Sequence, residues 1–114
     1  MKPSELTERL HKRIVQNFMD ILVLTEMKNA SLSGYDVIAI LHRKFGLLLS
    51  SGTVYSLLYS LEREGLIKGI WHQRKRIYKL TAEGEENIKI IKKANDEIQD
   101  FLNHITLLNA PHDS

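Results

Sequence analysis

The chain has no cysteine, which excludes disulfides, thiol nucleophiles and thiolate metal sites together. Proline occurs only at Pro3 and Pro111, so nothing between them carries that helix breaker. No apolar run reaches the roughly 18 residues of a membrane-crossing helix. Residues 1–13 are too polar for a secretory signal, and a soluble cytoplasmic protein with no membrane partner is expected. The five histidines, His11, His42, His72, His104 and His112, are scattered without H-x-x-x-H or H-x-H spacing, and no metal site is expected. No glycine-rich phosphate loop and no nucleophile elbow occurs, so no catalytic residue, no cofactor and no enzymatic activity is expected.

What is present is an ordinary globular composition: 114 residues, 43% hydrophobic and 26% charged, enough for one small domain. The net charge of +2 conceals a gradient. From Ser33 to Leu80, eight basic side chains face three acids, a balance of +5. From Thr81 onward three lysines face seven acids, a balance of −4, and the first 32 residues carry +1. A polyanion suits the middle of the chain and something else suits its tail.

The most informative stretch is 51–64, read as a helix opened by a capping serine and closed by Gly65. At about 100° per residue, Val54, Leu57, Leu58 and Leu61 share one face. Gly52, Ser56, Tyr59 and Arg63 share the other, flanked by Tyr55 and Ser60. Short hydroxyls let the backbone approach a polar surface closely, and the tyrosines and arginine can bond phosphates or base edges. An ordinary amphipathic surface helix is the alternative reading of the same pattern.

Before it, Ser33 caps a helix over 34–45 with a core stripe of Val37, Ile38, Leu41 and Phe45 and a stop at Gly46. Two helices joined by a short Gly-containing link match a helix-turn-helix. After it come two β-favouring runs, 66–71 and 76–80, separated by the cationic tip His72-Gln73-Arg74-Lys75. A ribbon in that place is a wing, with Arg74, Lys75 and Arg76 set to meet a phosphate backbone. Trp71, on its first strand, is expected to pack against the preceding helix, with stacking on an aromatic effector or a base the alternative.

Residues 1–13 read as a helical extension starting near Pro3 or Ser4. Residues 14–27 then carry two apolar stripes, Ile14, Phe18, Ile21, Leu22 and Thr25 on one and Met19, Val23 and Met27 on the other. Two stripes ask for two things to pack against: the chain's own core and a second chain on one reading, the surrounding elements of a central helix on the other. Lys28 to Leu32 reads as a turn. Thr81 caps a last helix over 82–108, whose apolar residues Ile88, Ile91, Ala94, Ile98, Phe101, Ile105 and Leu108 approach a heptad seam. Such a helix is roughly 40 Å long, which favours self-association, with packing against residues 14–27 of the same chain the alternative. Phe18, Met19 and Val23 join the seam from Ile91 to Leu108 as the expected dimer contacts, and 109–114 is expected to be a disordered tail.

Four segments in order, Ser33-Gly34-Tyr35-Asp36, Ser50-Ser51-Gly52-Thr53-Val54-Tyr55, Leu61-Glu62-Arg63-Glu64-Gly65-Leu66-Ile67 and Arg76-Ile77-Tyr78-Lys79-Leu80-Thr81-Ala82-Glu83-Gly84, give the chain a recognisable pattern. It resembles the PadR family of winged-helix transcription regulators over residues 14–85. The resemblance implies a mainly α fold with a small β-hairpin wing: a winged helix-turn-helix over 14–81 followed by a dimerisation helix. It implies a homodimer on double-stranded DNA at a pseudo-palindromic operator, repression, and in some members release by a small aromatic molecule near the dimer interface. It makes Tyr35, Ser51, Thr53 and Tyr55 backbone-contact residues, whereas Ser56, Tyr59 and Arg63 are groove-facing by the helical wheel. Ser56 stands where the family often has proline, and the last helix lacks the tryptophan on which some relatives stack drugs. A winged helix that contacts other proteins without reading DNA is the competing function, and a small-molecule binder with vestigial DNA affinity a third.

Overall fold

The first two helices, α1 (Pro3–Asn17) and α2 (Met19–Met27), meet at a joint on Phe18, whose φ of −112° and ψ of 21° leave the helical region. The hydrogen-bond ladder crosses that joint, since Phe18 N–H donates to Ile14 at 3.0 Å and Leu22 N–H to Phe18 at 3.0 Å. A helical wheel carried through residue 18 therefore keeps its phase, with Val15, Val23, Leu24 and Met27 on one buried side. Leu24, on neither expected stripe, is fully buried with Val23 and Met27, whereas Ile14 and Phe18 remain 47% and 40% exposed. The boundary expected at residue 13 falls inside α1. This computed structural model describes residues 2–106.

Leu32, expected to end a turn, instead joins Ser33 in a short strand, β1. Ser33 then caps α3 (Gly34–Phe45) in a reciprocal box: its Oγ accepts from Asp36 N–H at 3.1 Å, and its own N–H donates to Asp36 Oδ2 at 3.0 Å. Gly46, at φ 67°, turns the chain out of α3. Ser50 caps α4 (Ser51–Arg63) by accepting from Thr53 N–H at 3.2 Å, so the capping serine is the one before the expected start. Gly65 adopts φ 82°, and Leu66 N–H returns to the Leu61 carbonyl at 3.0 Å, closing α4.

Two longer strands, β2 (Ile67–His72) and β3 (Lys75–Leu80), form the wing. The sheet order is β1-β3-β2, all antiparallel, with β1 pairing Leu32 to Tyr78. The expected ribbon is therefore a three-stranded sheet, a detail a two-residue strand leaves unreadable. The core lies between α2, α3, α4 and the sheet's inner face, centred on Val23, Leu24, Leu41, Val54, Leu58, Leu61 and Ile67. Each such side chain contributes about 1.5–3 kcal/mol by leaving water.

Two last helices, α5 (Ala82–Lys93) and α6 (Asn95–Thr106), replace the single helix expected over 82–108. They meet at Ala94, φ −85° and ψ 0°, with the ladder again continuous from Ala94 to Ile90 at 3.0 Å. Thr81 locks α5 to the wing: its hydroxyl donates to the Gly65 carbonyl at 2.6 Å and accepts from Gly84 N–H at 3.0 Å. Gly84 is pressed against the Leu66 carbonyl, where no side chain fits. Helix α1 packs mainly on α2 and α6 mainly on α5, which leaves the molecule elongated at 61 × 33 × 21 Å.

Candidate nucleic-acid interface

Helix α4 buries Val54, Leu58 and Leu61 as its apolar face requires, with Leu57 half-buried beside them. The opposite face is open to solvent. Ser51, Thr53, Ser56 and Arg63 are exposed, and Tyr55 and Tyr59 are 46% and 68% exposed. The Thr53 hydroxyl pairs with that of Ser50 at 2.9 Å, which keeps the first turn tight. One turn on from Tyr59, the Arg63 guanidinium stands 5.5 Å from its ring centre, a cation–π contact that holds both groups out from the helix.

Tyr35, 73% exposed in the first turn of α3, lies close to Tyr55 across an open groove of about 400 Å³. Trp71, Arg74, Lys75 and Arg76 form the groove's wing side. The tip itself is a two-residue turn, with His72 paired to Lys75 and Gln73 at φ 56°. Arg74 and Lys75 are exposed there. Thus Tyr35, Tyr55, Arg74, Lys75 and Arg76 line one groove, and Ser56, Tyr59 and Arg63 continue from it along α4 by helical spacing.

Two residues have partners on the wing that the sequence reading did not supply. Arg76 is half-buried, with Nη2 2.9 Å from Glu62 Oε2 and its guanidinium 5.6 Å from the Trp71 ring centre. Its charge is already paired. Trp71 is 66% exposed and packs with Arg76 instead of against α4, because Trp71 and Arg76 are directly opposed across the ribbon. Glu62 is the functional neighbour that sequence reasoning passed over. The signal was available: the basic stretch holds only three acids, Asp36, Glu62 and Glu64, so each invites a question about its cation or cap.

The expected dimer residues divide. Val23 is fully buried in the chain's own core and has no surface to offer a second one. Met19, Ile91 and Ala94 are half-buried. Phe18, Ile98, Phe101 and Ile105 are 40%, 36%, 63% and 57% exposed, and Leu6, Leu10 and Ile14 add an apolar stripe along α1. Leu108 and the expected tail lie outside the described residues. Among the described residues no helix is long and apolar enough to cross a membrane, and no group of His, Asp and Glu is arranged to hold a metal ion.

A family model described as the transcriptional regulator PadR-like family matches residues 23–90. No curated protein matches the chain. Among solved structures, a PadR family transcription regulator from Clostridium difficile is similar at TM-score 0.70 and 24% identity, over 78% of this chain and 98% of that one. A PadR family regulator from Eggerthella lenta gives TM-score 0.77 and 20% identity, over 95% of this chain and 96% of that one. Bacillus subtilis PadR, solved with operator DNA, gives TM-score 0.54 and 24% identity, over 62% of this chain and 45% of that one. At these identities the likeness establishes the fold: a winged helix-turn-helix, mainly helical, with a small antiparallel sheet.

Proposed function

The chain belongs to the PadR-like family of transcriptional regulators, and from that premise we propose that it is a cytoplasmic homodimeric repressor reading a pseudo-palindromic operator. The observation that carries the reading is the convergence of exposed Tyr35, Tyr55, Arg74 and Lys75 on one groove continuous with Ser56, Tyr59 and Arg63. Helix α4 enters the major groove, where Ser56, Tyr59 and Arg63 meet base edges. Tyr35, Ser51, Thr53, Tyr55, Arg74 and Lys75 meet the sugar–phosphate backbone, which fixes register without carrying sequence information. The similarity to a regulator solved with operator DNA supports the same partner here.

The dimer is supported by the two apolar stripes that the single chain leaves open, Leu6, Leu10 and Ile14 on α1 and Ile98, Phe101 and Ile105 on α6. Their charges are complementary: α6 carries three acids and no lysine or arginine, whereas α1 carries three basic side chains against two acids. Packing α1 and α6 of one copy on those of the other sets two recognition helices about 34 Å apart, one turn of DNA. Release by a small aromatic molecule beside Phe18 and Phe101 completes the reading, since both rings are exposed.

The test is selection of purified protein on a random-sequence duplex pool at two salt concentrations. Enrichment of an inverted repeat with half-sites one turn apart is the expected result. Absence of binding at low salt overturns the reading in favour of a protein-contacting winged helix.

A further inference from the structure

Glu62 sits in the last turn of α4, surrounded by the most basic part of the chain. A single carboxylate oxygen, Oε2, accepts from the Gly69 N–H of β2 at 3.0 Å and from Arg76 Nη2 of β3 at 2.9 Å. One acid thus ties the recognition helix to both strands of the wing. The guanidinium it holds also lies 5.6 Å from the ring centre of Trp71 and 5.7 Å from that of Tyr78. Gly69 makes room for it, since a methyl at that position would overlap the Arg76 guanidinium. Both partners are about one-third exposed, 33% for Arg76 and 29% for Glu62, so solvent screens the pair only in part.

The wing's three consecutive cations are therefore not equivalent. Arg74 and Lys75 stand in solvent. A phosphate that recruited Arg76 would have to displace a charge-assisted hydrogen bond and draw the guanidinium off two aromatic rings. Attraction to phosphate is the part of DNA binding that ignores sequence, and each neutralised phosphate adds to its salt dependence. Discrimination is a difference between two affinities, so a cation withheld from the backbone lowers the unwanted one.

We infer that Glu62 is a positioning residue of the DNA interface: by holding Arg76 it fixes the wing against α4 and keeps one cation per subunit away from phosphates, so that contacts from α4 decide where the protein binds. This rests on the DNA-binding reading above.

The experiment measures affinity of the full chain for an arbitrary duplex and for the selected duplex across a salt series, with Glu62→Gln, Gly69→Ala and Glu64→Gln. Glu62→Gln frees Arg76 by weakening its anchor. Gly69→Ala frees it by occupying its place, with no change in net charge. Glu64→Gln removes an exposed acid two residues away and frees no cation. In both Glu62→Gln and Gly69→Ala, the slope of log affinity against log salt on the arbitrary duplex steepens by about 0.9 for each subunit in contact. The preference for the selected duplex narrows in both. Glu64→Gln leaves the slope nearer the wild type. An unchanged or shallower slope in both variants, or an equal steepening in Glu64→Gln, overturns the assignment while the DNA reading stands. A wild-type chain that binds neither duplex overturns both.

Discussion

The ring of Tyr55 lies against the backbone of Gly34, in the space that any side chain at position 34 would need. This contact joins the first turn of α3 to the second turn of α4 and sets the angle between the two helices of the helix-turn-helix. It gives a physical reason for a glycine beside Tyr35 and a tyrosine at position 55. Gly34→Ala should destabilise the fold by about 1–3 kcal/mol through overpacking. Adding Tyr55→Ala should recover part of that loss. Urea denaturation of the single and double variants reads both values, and additive losses would show that the two positions do not share a contact.

Tyr59 and Arg63 point away from the core and support one another, so their loss should spare the fold. Tyr59→Ala and Arg63→Ala should each lower affinity for the selected duplex by roughly ten- to a hundred-fold, the cost of about 1–3 kcal/mol for a base contact. Affinity for an arbitrary duplex should fall less, and sedimentation should show an unchanged dimer. A variant that loses dimerisation together with DNA binding would show that this face serves the interface between copies.

Arg74 and Lys75 lie at the exposed tip, where a phosphate can reach them without displacing another partner. Arg74→Ala and Lys75→Ala should weaken binding about equally on every sequence. Each should also make the salt dependence shallower by about 0.9 per lost phosphate contact. Fluorescence anisotropy across a salt series measures this, and a loss confined to the selected duplex would assign the tip to base reading instead.

Much of this architecture was legible because its signals are local. Ser33 with Asp36 three residues on, Gly46 and Gly65 beyond two apolar stripes, and alternation from Arg76 to Leu80 each declare an element within a few residues. The joints were not legible, because neither Phe18 nor Ala94 is a helix breaker by type. Leu24 was missed for a different reason: it lies between the two stripes on the wheel, beside Val23 and Met27, where burial depends on how wide a face the core covers. The exposed face of α4 could be read from periodicity alone. Arg76 could not, since a basic run looks the same whether its last cation points to solvent or to a carboxylate fourteen residues earlier.

Lys92 on α5 faces Lys28 at the end of α2. The close approach of the Lys28 ammonium, a second donor with no acceptor to offer, and the repulsion of the two charges push the Lys92 pKa below its ordinary 10.5. A folded-state pKa below the unfolded value means that the unfolded chain binds the proton more readily between the two. Stability should therefore rise with pH as Lys92 loses its proton and level off above the ordinary value. Lys92→Gln should raise the thermal midpoint at neutral pH in low salt, with the gain shrinking in high salt as screening removes the repulsion. A gain that salt leaves untouched would point to packing at Ile88 as its source.

Phe101 and Ile105 are 63% and 57% exposed on the acidic helix α6, spaced one turn apart. A single chain gains nothing from holding those side chains in water, and a second copy that covers them removes the cost. Phe101→Glu should place a further negative charge on a helix with three acids and no lysine or arginine, leaving the chain's own core intact. Sedimentation should then show a monomer with the wild-type content of helix. DNA binding should fall far more than any single phosphate contact explains, because a monomer engages one half-site where the dimer engages two. A Phe101→Glu chain that still sediments as a dimer would move the interface off α6, leaving the α1 stripe of Leu6, Leu10 and Ile14 as the surface to test next.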